Sequence, residues 1–490
     1  MSNKRLSELQ NVIKHAANYQ EYKQACEEHD ELSGAQEWKA QDASSDYDYR
    51  LIRKRVQRIK QAKARGDAAG LMYILHEGLH GNLGKIAAPA LNRHAKIGTK
   101  RLIEEFIQQV CEALEFIYDA DEDEIDFYEK LSFFDETAHA FGRTCLMLSG
   151  GAGLGFFHGG VVKSLVENEL LPEVVSGASA GSIIAALVGT RTDAELISSL
   201  QPELIYEKFR EWRLWQGFGQ ESLLSSTNLE NALIELFDLT TFEEAYRHTG
   251  RHMTVTVSAA DLHQFSRLLN AKTSPNAIIT QAVRASCAIP FIFEPVQLKA
   301  KNQAGQIVPY IPNRRFADGS IMADLPFERL ARLYGVNHSI VSQTNPIAVP
   351  FLARDKRDTT GVLGLALRHS ANIIKLNSIF AFDLLENAIS HSPTKLGIHK
   401  LRSIIDQQYV GDINILPEAN FTNLKYIAAN PSLKSITQLI HNGERATWPQ
   451  LDLIKRNTKI SKTLRIYLKL LKQREAKILT NPVKLKVVNQ

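Results

Sequence analysis

The spacing of apolar positions changes twice along the chain. Over residues 1–140 apolar side chains recur at helical intervals among many Lys, Glu, Gln and Ala, with few strand-like runs, which predicts a helical region. Within it Tyr49 opens a basic amphipathic stretch that continues to about Arg65. From about Thr144 the pattern differs. Thr144-Cys145-Leu146-Met147-Leu148 predicts a strand, a glycine-rich loop follows, and Val161–Leu170 returns to helical spacing. Pro172-Glu173-Val174-Val175-Ser176 predicts a second strand and Ser182–Val188 a second, apolar helix; Met253–Val257 and His338–Ser342 are later strand candidates. Strands alternating with helices predict an α/β core with a mainly parallel sheet over residues 141–350, covered on both faces. After about Pro350 the spacing is mostly helical to residue 490, with one strand-like run, Asp412-Ile413-Asn414-Ile415-Leu416, placed to return to the sheet.

Composition narrows the classes. A chain of 490 residues predicts two or three domains, and 44% hydrophobic with 23% charged residues describes a soluble globular chain. Overall disorder and a disulfide-stapled mini-protein are excluded. A net charge of +4 is too small to suggest a nucleic-acid partner. That charge is uneven: residues 451–490 hold eleven Lys or Arg against two acids, a basic tail on an acidic body. Cys26, Cys111, Cys145 and Cys287 are far apart with no metal-ligand spacing, which suits buried thiols in a reducing compartment. The start lacks the apolar core of a signal peptide, and no apolar run approaches the ~20 residues that span a bilayer. The expectation is a cytoplasmic protein whose membrane contact, if any, is peripheral.

The candidate chemistry lies in three short segments. Gly177-Ala178-Ser179-Ala180-Gly181 is a G-x-S-x-G pentapeptide between a predicted strand and an apolar helix, the setting of a nucleophile elbow. Gly177 and Gly181 permit a tight turn where a Cβ would clash, leaving the Ser179 hydroxyl at a helix N-terminus. Upstream, Ser149-Gly150-Gly151-Ala152-Gly153-Leu154-Gly155 also joins a strand to a helix, and its backbone N–H groups can hold an anion. A dinucleotide site would need an acid at the end of the second strand, where the serine stands instead, so an oxyanion hole fits better. The third segment, Phe316-Ala317-Asp318-Gly319-Ser320, offers Asp318 as a base able to take the Ser179 proton directly.

The order glycine loop, G-x-S-x-G, then Asp-Gly resembles the patatin-like phospholipases. Gln281 to Pro290, with Phe293-Glu294-Pro295-Val296, is similar to another segment of that family. Trp38-Lys39, Tyr47 to Ile52, Gly78 to Gly84, Gly98-Thr99-Lys100, Tyr409 to Ile413 and Ala446 to Pro449 extend the similarity to the branch that includes fungal and plant triacylglycerol lipases, over roughly residues 36–465. The resemblance implies a patatin-like three-layer hydrolase core over 141–350, with helical regions over 1–140 and 351–490. It implies Ser179 as nucleophile, Asp318 as base, and backbone donors from Gly150, Gly151, Ala152, Gly153, Leu154 and Gly155. No metal or organic cofactor is implied. The implied activity is release of fatty acids from acylglycerols, with phospholipase A or lysophospholipase action as the alternative and an inactive lipid-binding scaffold as another class. Two departures stand in the loop: Ala152 where many patatins have a third glycine, and Leu154 where many have arginine. Ser320 replaces a second glycine or alanine.

Other motifs compete. His76-Glu77-Gly78-Leu79-His80 satisfies the zinc-protease pattern, yet Gly78 is a poor residue for the helix that would hold the metal. Asp119–Glu129 is acidic but lacks the spacing of a calcium loop, and a solvated helix end is the expectation. His338, His369, His391, His399 and His441 follow Asp318 in the order a Ser–Asp–His triad would use. In the tail, Leu464, Tyr467, Leu468 and Leu471 share a helical face, with Lys462, Arg465, Lys469 and Lys472 nearby. That helix suits either an anionic membrane or lipid-droplet surface or plain packing on the body.

Overall fold

The computed structural model describes residues 2–210, 222–260, 266–289, 293–319, 324–345, 410–418 and 432–480. Ser320, His369, His391 and His399, and most of the region after residue 350, lie outside them. The chain forms two compact units, Met1–Arg143 with Pro449–Gln490, and Thr144–Trp448.

The first unit is helical, as the spacing predicts. Asp48 caps the helix Tyr49–Ala64 by accepting the Leu51 N–H, and Asp126 caps Phe127–Phe141 in the same way. These helices and Arg101–Asp119 enclose Ile52, Ile59, Leu71, Ile103, Leu114 and Phe134. Lys100 is buried there: its Nζ donates to the carbonyls of Trp38 and Gln41 and lies 4.1 Å from the Trp38 ring centroid. The long helix Leu451–Thr480 belongs to this core, which buries Leu464 and Leu471, with Tyr467 and Leu468 packed against it. Tyr467 stacks on Tyr118 at 4.6 Å. The leucine face of the tail is therefore packed on the body. The described part of 351–490 is divided between the two units. The apolar stripe of Leu451–Thr480 joins the N-terminal helices, while the preceding helix Leu433–Thr447 packs in the second unit.

The second unit is built on a seven-stranded sheet. Its strands are β1 (Arg143–Leu148), β2 (Val174–Gly177), β3 (His252–Ala259), β4 (Arg267–Asn270), β7 (Phe316–Asp318), β8 (Val336–Ser342) and β9 (Ile413–Ile415), and a separate hairpin pairs β5 (Lys299–Lys301) with β6 (Ile307–Pro309). The order is β4-β3-β2-β1-β8-β9, with β7 paired to β3. The pairs β1–β2, β2–β3 and β8–β9 are parallel, whereas β4 and β7 run antiparallel to β3. Asp412–Leu416 thus does return to the sheet, as β9. Two glycines fix one helix crossing beside it. A Cβ on Gly160 would lie 1.8 Å from the Ile440 carbonyl oxygen, and one on Gly443 would lie 2.1 Å from that of Phe157. Among the described residues no helix is long and apolar enough to cross a membrane.

This crossing separates two adjacent glycines. A Cβ on Gly159 meets only side-chain carbons at 3.7 Å. Gly159→Ala is expected to hold or raise stability, by up to about 1 kcal/mol, because alanine is the better helix former. Gly160→Ala is expected to cost about 3 kcal/mol through backbone overpacking. Urea unfolding of the two variants checks the contrast.

Candidate active site

β2 delivers the serine. Its register places Gly177 beside Leu148 of β1, and the Ala178 N–H donates to the Leu148 carbonyl at 3.1 Å. The chain then turns sharply into the buried helix Ala180–Thr190, with Ser179 at φ 49°, ψ −127°. A β-carbon in that left-handed region is strained and persists only when its surroundings over-determine it. They do so here. The Ser179 N–H donates to Ser286 Oγ at 2.9 Å, and that hydroxyl donates onward to the Thr256 carbonyl at 2.7 Å. The Ser179 carbonyl accepts from the Ser182 N–H at 2.8 Å and from Ser182 Oγ at 2.6 Å. The flanking glycines are required by proximity: a Cβ on Gly177 would lie 2.4 Å from the Gly181 oxygen, and one on Gly181 would lie 2.3 Å from the Leu148 oxygen.

The glycine loop sits against this elbow. Its 3-10 turn Ala152–Gly155 leads into the helix Phe156–Glu167, and a Cβ on Gly155 would approach Ala180 Cβ to 2.6 Å. Among the six expected donors, the Gly150 N–H is engaged by Asp324 Oδ1 at 2.7 Å, and the Leu154 N–H by the Gly151 carbonyl at 3.0 Å. The N–H groups of Ala152 and Gly153 open the turn, where a helix offers them no internal acceptor. Ala152, at φ 48°, carries a β-carbon in a conformation suited to glycine. His158, fully buried under the loop, lies 2.9 Å from the Ser149 carbonyl through Nε2 and 2.7 Å from Ser342 Oγ through Nδ1. The neutral ring with its proton on Nε2 satisfies both contacts.

Asp318 ends β7, is 3% exposed, and stands opposite Val257 of β3; its N–H donates to the Ala288 carbonyl at 2.9 Å. A Cβ on Gly319 would lie 2.1 Å from the Thr256 oxygen, which explains the Asp-Gly pair as a close approach. The serine and aspartate arms therefore meet at one stretch of β3: Thr256 anchors Ser179 through Ser286, and Val257 pairs with Asp318. Cys287 lies between the two arms, its Sγ 4.0 Å from Ser182 Oγ, and burial together with the Asp318 charge raises its thiol pKa. Asp324 and His158 stand at the candidate site without a sequence signature, because their partners come from other elements; Ser286 lies in the Gln281–Pro290 segment, where the resemblance implied no role for it. A small apolar recess adjoins the elbow and is lined by Ala152, Ala180, Ile184, Leu187, Ile205 and Phe209 among others.

The competing motifs do not converge. The helix carrying His76 ends at Gly78, so His80 does not share its face; His76 pairs with Glu136 and Glu77 with Arg55 and Arg58. Among the described residues no group of His, Cys, Asp and Glu could hold a metal ion. His338 contacts Thr144 Oγ1 at 3.1 Å, and His441 pairs with Glu444 at 3.6 Å.

A mainly parallel sheet, a strained serine at a strand–helix elbow and a glycine loop against it define an α/β fold of the nucleophile-elbow class. Comparison with known proteins narrows the class. Residues 146–331 match the model of the patatin-like phospholipases, and residues 1–139 match a domain of unknown function, DUF3336. Triacylglycerol lipase SDP1L of Arabidopsis thaliana is 36% identical over 84% of this chain and 53% of its own length. Triacylglycerol lipase 4 of Saccharomyces cerevisiae is 34% identical over 90% and 50%, and triacylglycerol lipase ptl2 of Schizosaccharomyces pombe is 30% identical over 93% and 74%. The chain belongs to the patatin-like phospholipase family. It spans about half the length of the first two relatives.

Two buried groups in this site titrate in opposition. Burial pushes His158 down to about 4, so between about pH 6.5 and 4 the unfolded chain binds a proton that the folded one refuses. The stability linked to His158 is complete above that window and lost as pH falls through it, by of order 3 kcal/mol. Burial pushes the Asp324 carboxyl up to about 7, so its contribution is present at low pH and lost as pH rises through 7. Wild type is expected to lose about 3 kcal/mol more than His158→Gln between pH 6.5 and 4. Urea titrations at each pH measure that difference with the Asp324 contribution cancelled.

Proposed function

We propose that the protein is a serine acyl hydrolase that releases fatty acids from long-chain acyl-ester lipids with Ser179 and Asp318 as its dyad. The observation that carries this reading is the strained Ser179 at the strand–helix elbow, set against the glycine loop and tied through Ser286 to the stretch of β3 that pairs with Asp318. Ser179 Oγ attacks the ester carbonyl while Asp318 accepts the hydroxyl proton. The Ala152 and Gly153 N–H groups, with Gly151 beside them, stabilise the oxyanion. Collapse of the tetrahedral intermediate breaks the ester bond, and the leaving alcohol takes the proton from Asp318. Water then gives a proton to Asp318 and attacks the acyl-enzyme; the fatty acid leaves and Ser179 regains its proton. Triacylglycerol is the first substrate, on the names of the relatives; phospholipid is the second, on the name of the family. The chemistry requires no cofactor.

The same reading places the protein in the cytoplasm, working at a membrane or lipid-droplet surface reached through its basic C-terminal helix. The face of Leu451–Thr480 opposite its buried leucines exposes Lys455, Lys459, Lys469 and Lys477, interleaved with Ile466 and Leu470, which are 50% and 41% exposed. Cations around apolar side chains on one face fit an anionic lipid surface.

Two experiments test these proposals. Fluorophosphonate labelling and fatty-acid release from triacylglycerol and phospholipid emulsions are expected for wild type. Ser179→Ala is expected to lose labelling, and Ser179→Ala and Asp318→Asn to lower turnover roughly a thousand-fold. A wild type that neither labels nor turns over supports the lipid-binding scaffold instead. For the surface, deletion of the helix is unsuitable because Leu464 and Leu471 are core residues. Lys459→Glu with Lys469→Glu is expected to weaken binding to anionic vesicles roughly ten-fold or more at low salt. Unchanged sedimentation with the vesicles would remove this face from the proposal.

A further inference from the structure

The Gly150 peptide is held at both ends. Its N–H donates to Asp324 Oδ1 at 2.7 Å, and its carbonyl accepts from Ser149 Oγ at 3.1 Å and from Thr344 Oγ1 at 3.3 Å. Thr344 is itself fixed, its N–H donating to Ser149 Oγ at 2.8 Å. The second carboxylate oxygen of Asp324 accepts from Asn345 Nδ2 at 3.3 Å, so one side chain joins the glycine loop to the segment after β8. Asp324 is 1% exposed and stands six residues after Asp318. The Asp318 charge contributes to its raised pKa, behind burial, so the two carboxyls lie within electrostatic reach. Immediately beyond the clamped peptide the loop reaches the left-handed Ala152.

We propose that Asp324 is a positioning residue for the hydrolysis described above: by accepting the Gly150 N–H it fixes the register of the glycine loop, so that the Ala152 and Gly153 N–H groups face the developing oxyanion. This inference rests on the hydrolase reading. Three physical points carry it. A buried carboxyl is expensive, and an apolar residue fills such a site at lower cost unless the acceptor itself is required. The loop holds a strained residue, which needs an external anchor to keep one conformation. Oxyanion donors act through preorganisation, and small displacements of them reduce turnover more than ground-state binding.

The test compares wild type with Asp324→Asn, which keeps an acceptor oxygen, and with Asp324→Leu and Asp324→Ala, which do not. The readouts are kcat and KM on p-nitrophenyl butyrate, the rate of fluorophosphonate labelling, and the thermal midpoint. Asp324→Leu and Asp324→Ala are expected to lower kcat and the labelling rate roughly 100-fold, with KM within about three-fold of wild type. Asp324→Asn is expected to restore kcat to within about five-fold. Two apolar variants that fold and keep wild-type kcat would overturn the proposal, and so would Asp324→Asn falling as far as they do. A kcat loss that follows the folded fraction, leaving kcat per folded molecule at the wild-type value, would reduce Asp324 to a structural role. Wild type that fails to label would remove the hydrolase reading itself, an outcome separable from all of these.

Discussion

The close backbone contact at the turn after β2 governs the rest of the second unit. Gly177, Gly181 and the end of β1 approach within distances that admit no β-carbon, and this forces Ser179 into the left-handed region. That strain is held by backbone and hydroxyl hydrogen bonds instead of by a soft loop. Ser286 takes the serine N–H and passes the load to the Thr256 carbonyl. Because Asp318 is paired to the neighbouring residue of β3, the same strand fixes both arms of the proposed dyad. A change in the β2–β3 register would displace Ser179 relative to Asp318.

Around this centre the molecule buries two ionisable groups, His158 and Asp324, each with specific partners. His158 stays neutral beneath the glycine loop because burial disfavours its charge and its neighbours Ser149, Ser342 and Thr344 match a neutral ring. Asp324 accepts a loop N–H and an amide. A buried, satisfied network of this kind makes one arrangement of the loop more stable than its alternatives. The first unit uses the same logic with a cation: Lys100 gives its charge to two carbonyls and the Trp38 ring. The helix Leu451–Thr480 divides its residues between two tasks, leucines into the core and lysines into solvent.

Local pattern made the main elements legible. β1, β2, β3, β8 and β9 and the apolar helix after Ser179 follow from mostly buried apolar runs, and the helices of the first 140 residues from apolar positions recurring at helical spacing among exposed polar ones. β4 and β7 were less legible because they derive their strand geometry from antiparallel pairing with β3. The tail helix was legible as amphipathic, but both of its faces had a reasonable partner. Packing decided between them, because the leucines complete a core already formed by Phe134, Leu114 and Tyr118. The zinc-like motif failed for a local reason, since the helix ends at Gly78 before its second histidine.

By itself the sequence determined the elbow, the glycine loop and the Asp-Gly turn, because each needs small residues at fixed spacing and tolerates few others. It also determined that the core is α/β, through the alternation of strand and helix periods. Tertiary structure alone decided which loop N–H groups are engaged, that Ser286 steadies the serine, and that Asp324 reaches Gly150 across 174 residues of chain. It also decided that the last long helix completes the first unit. The physical reason is the same in each case: a donor, a carboxyl or a leucine face states what it requires, and only packing in three dimensions supplies the partner.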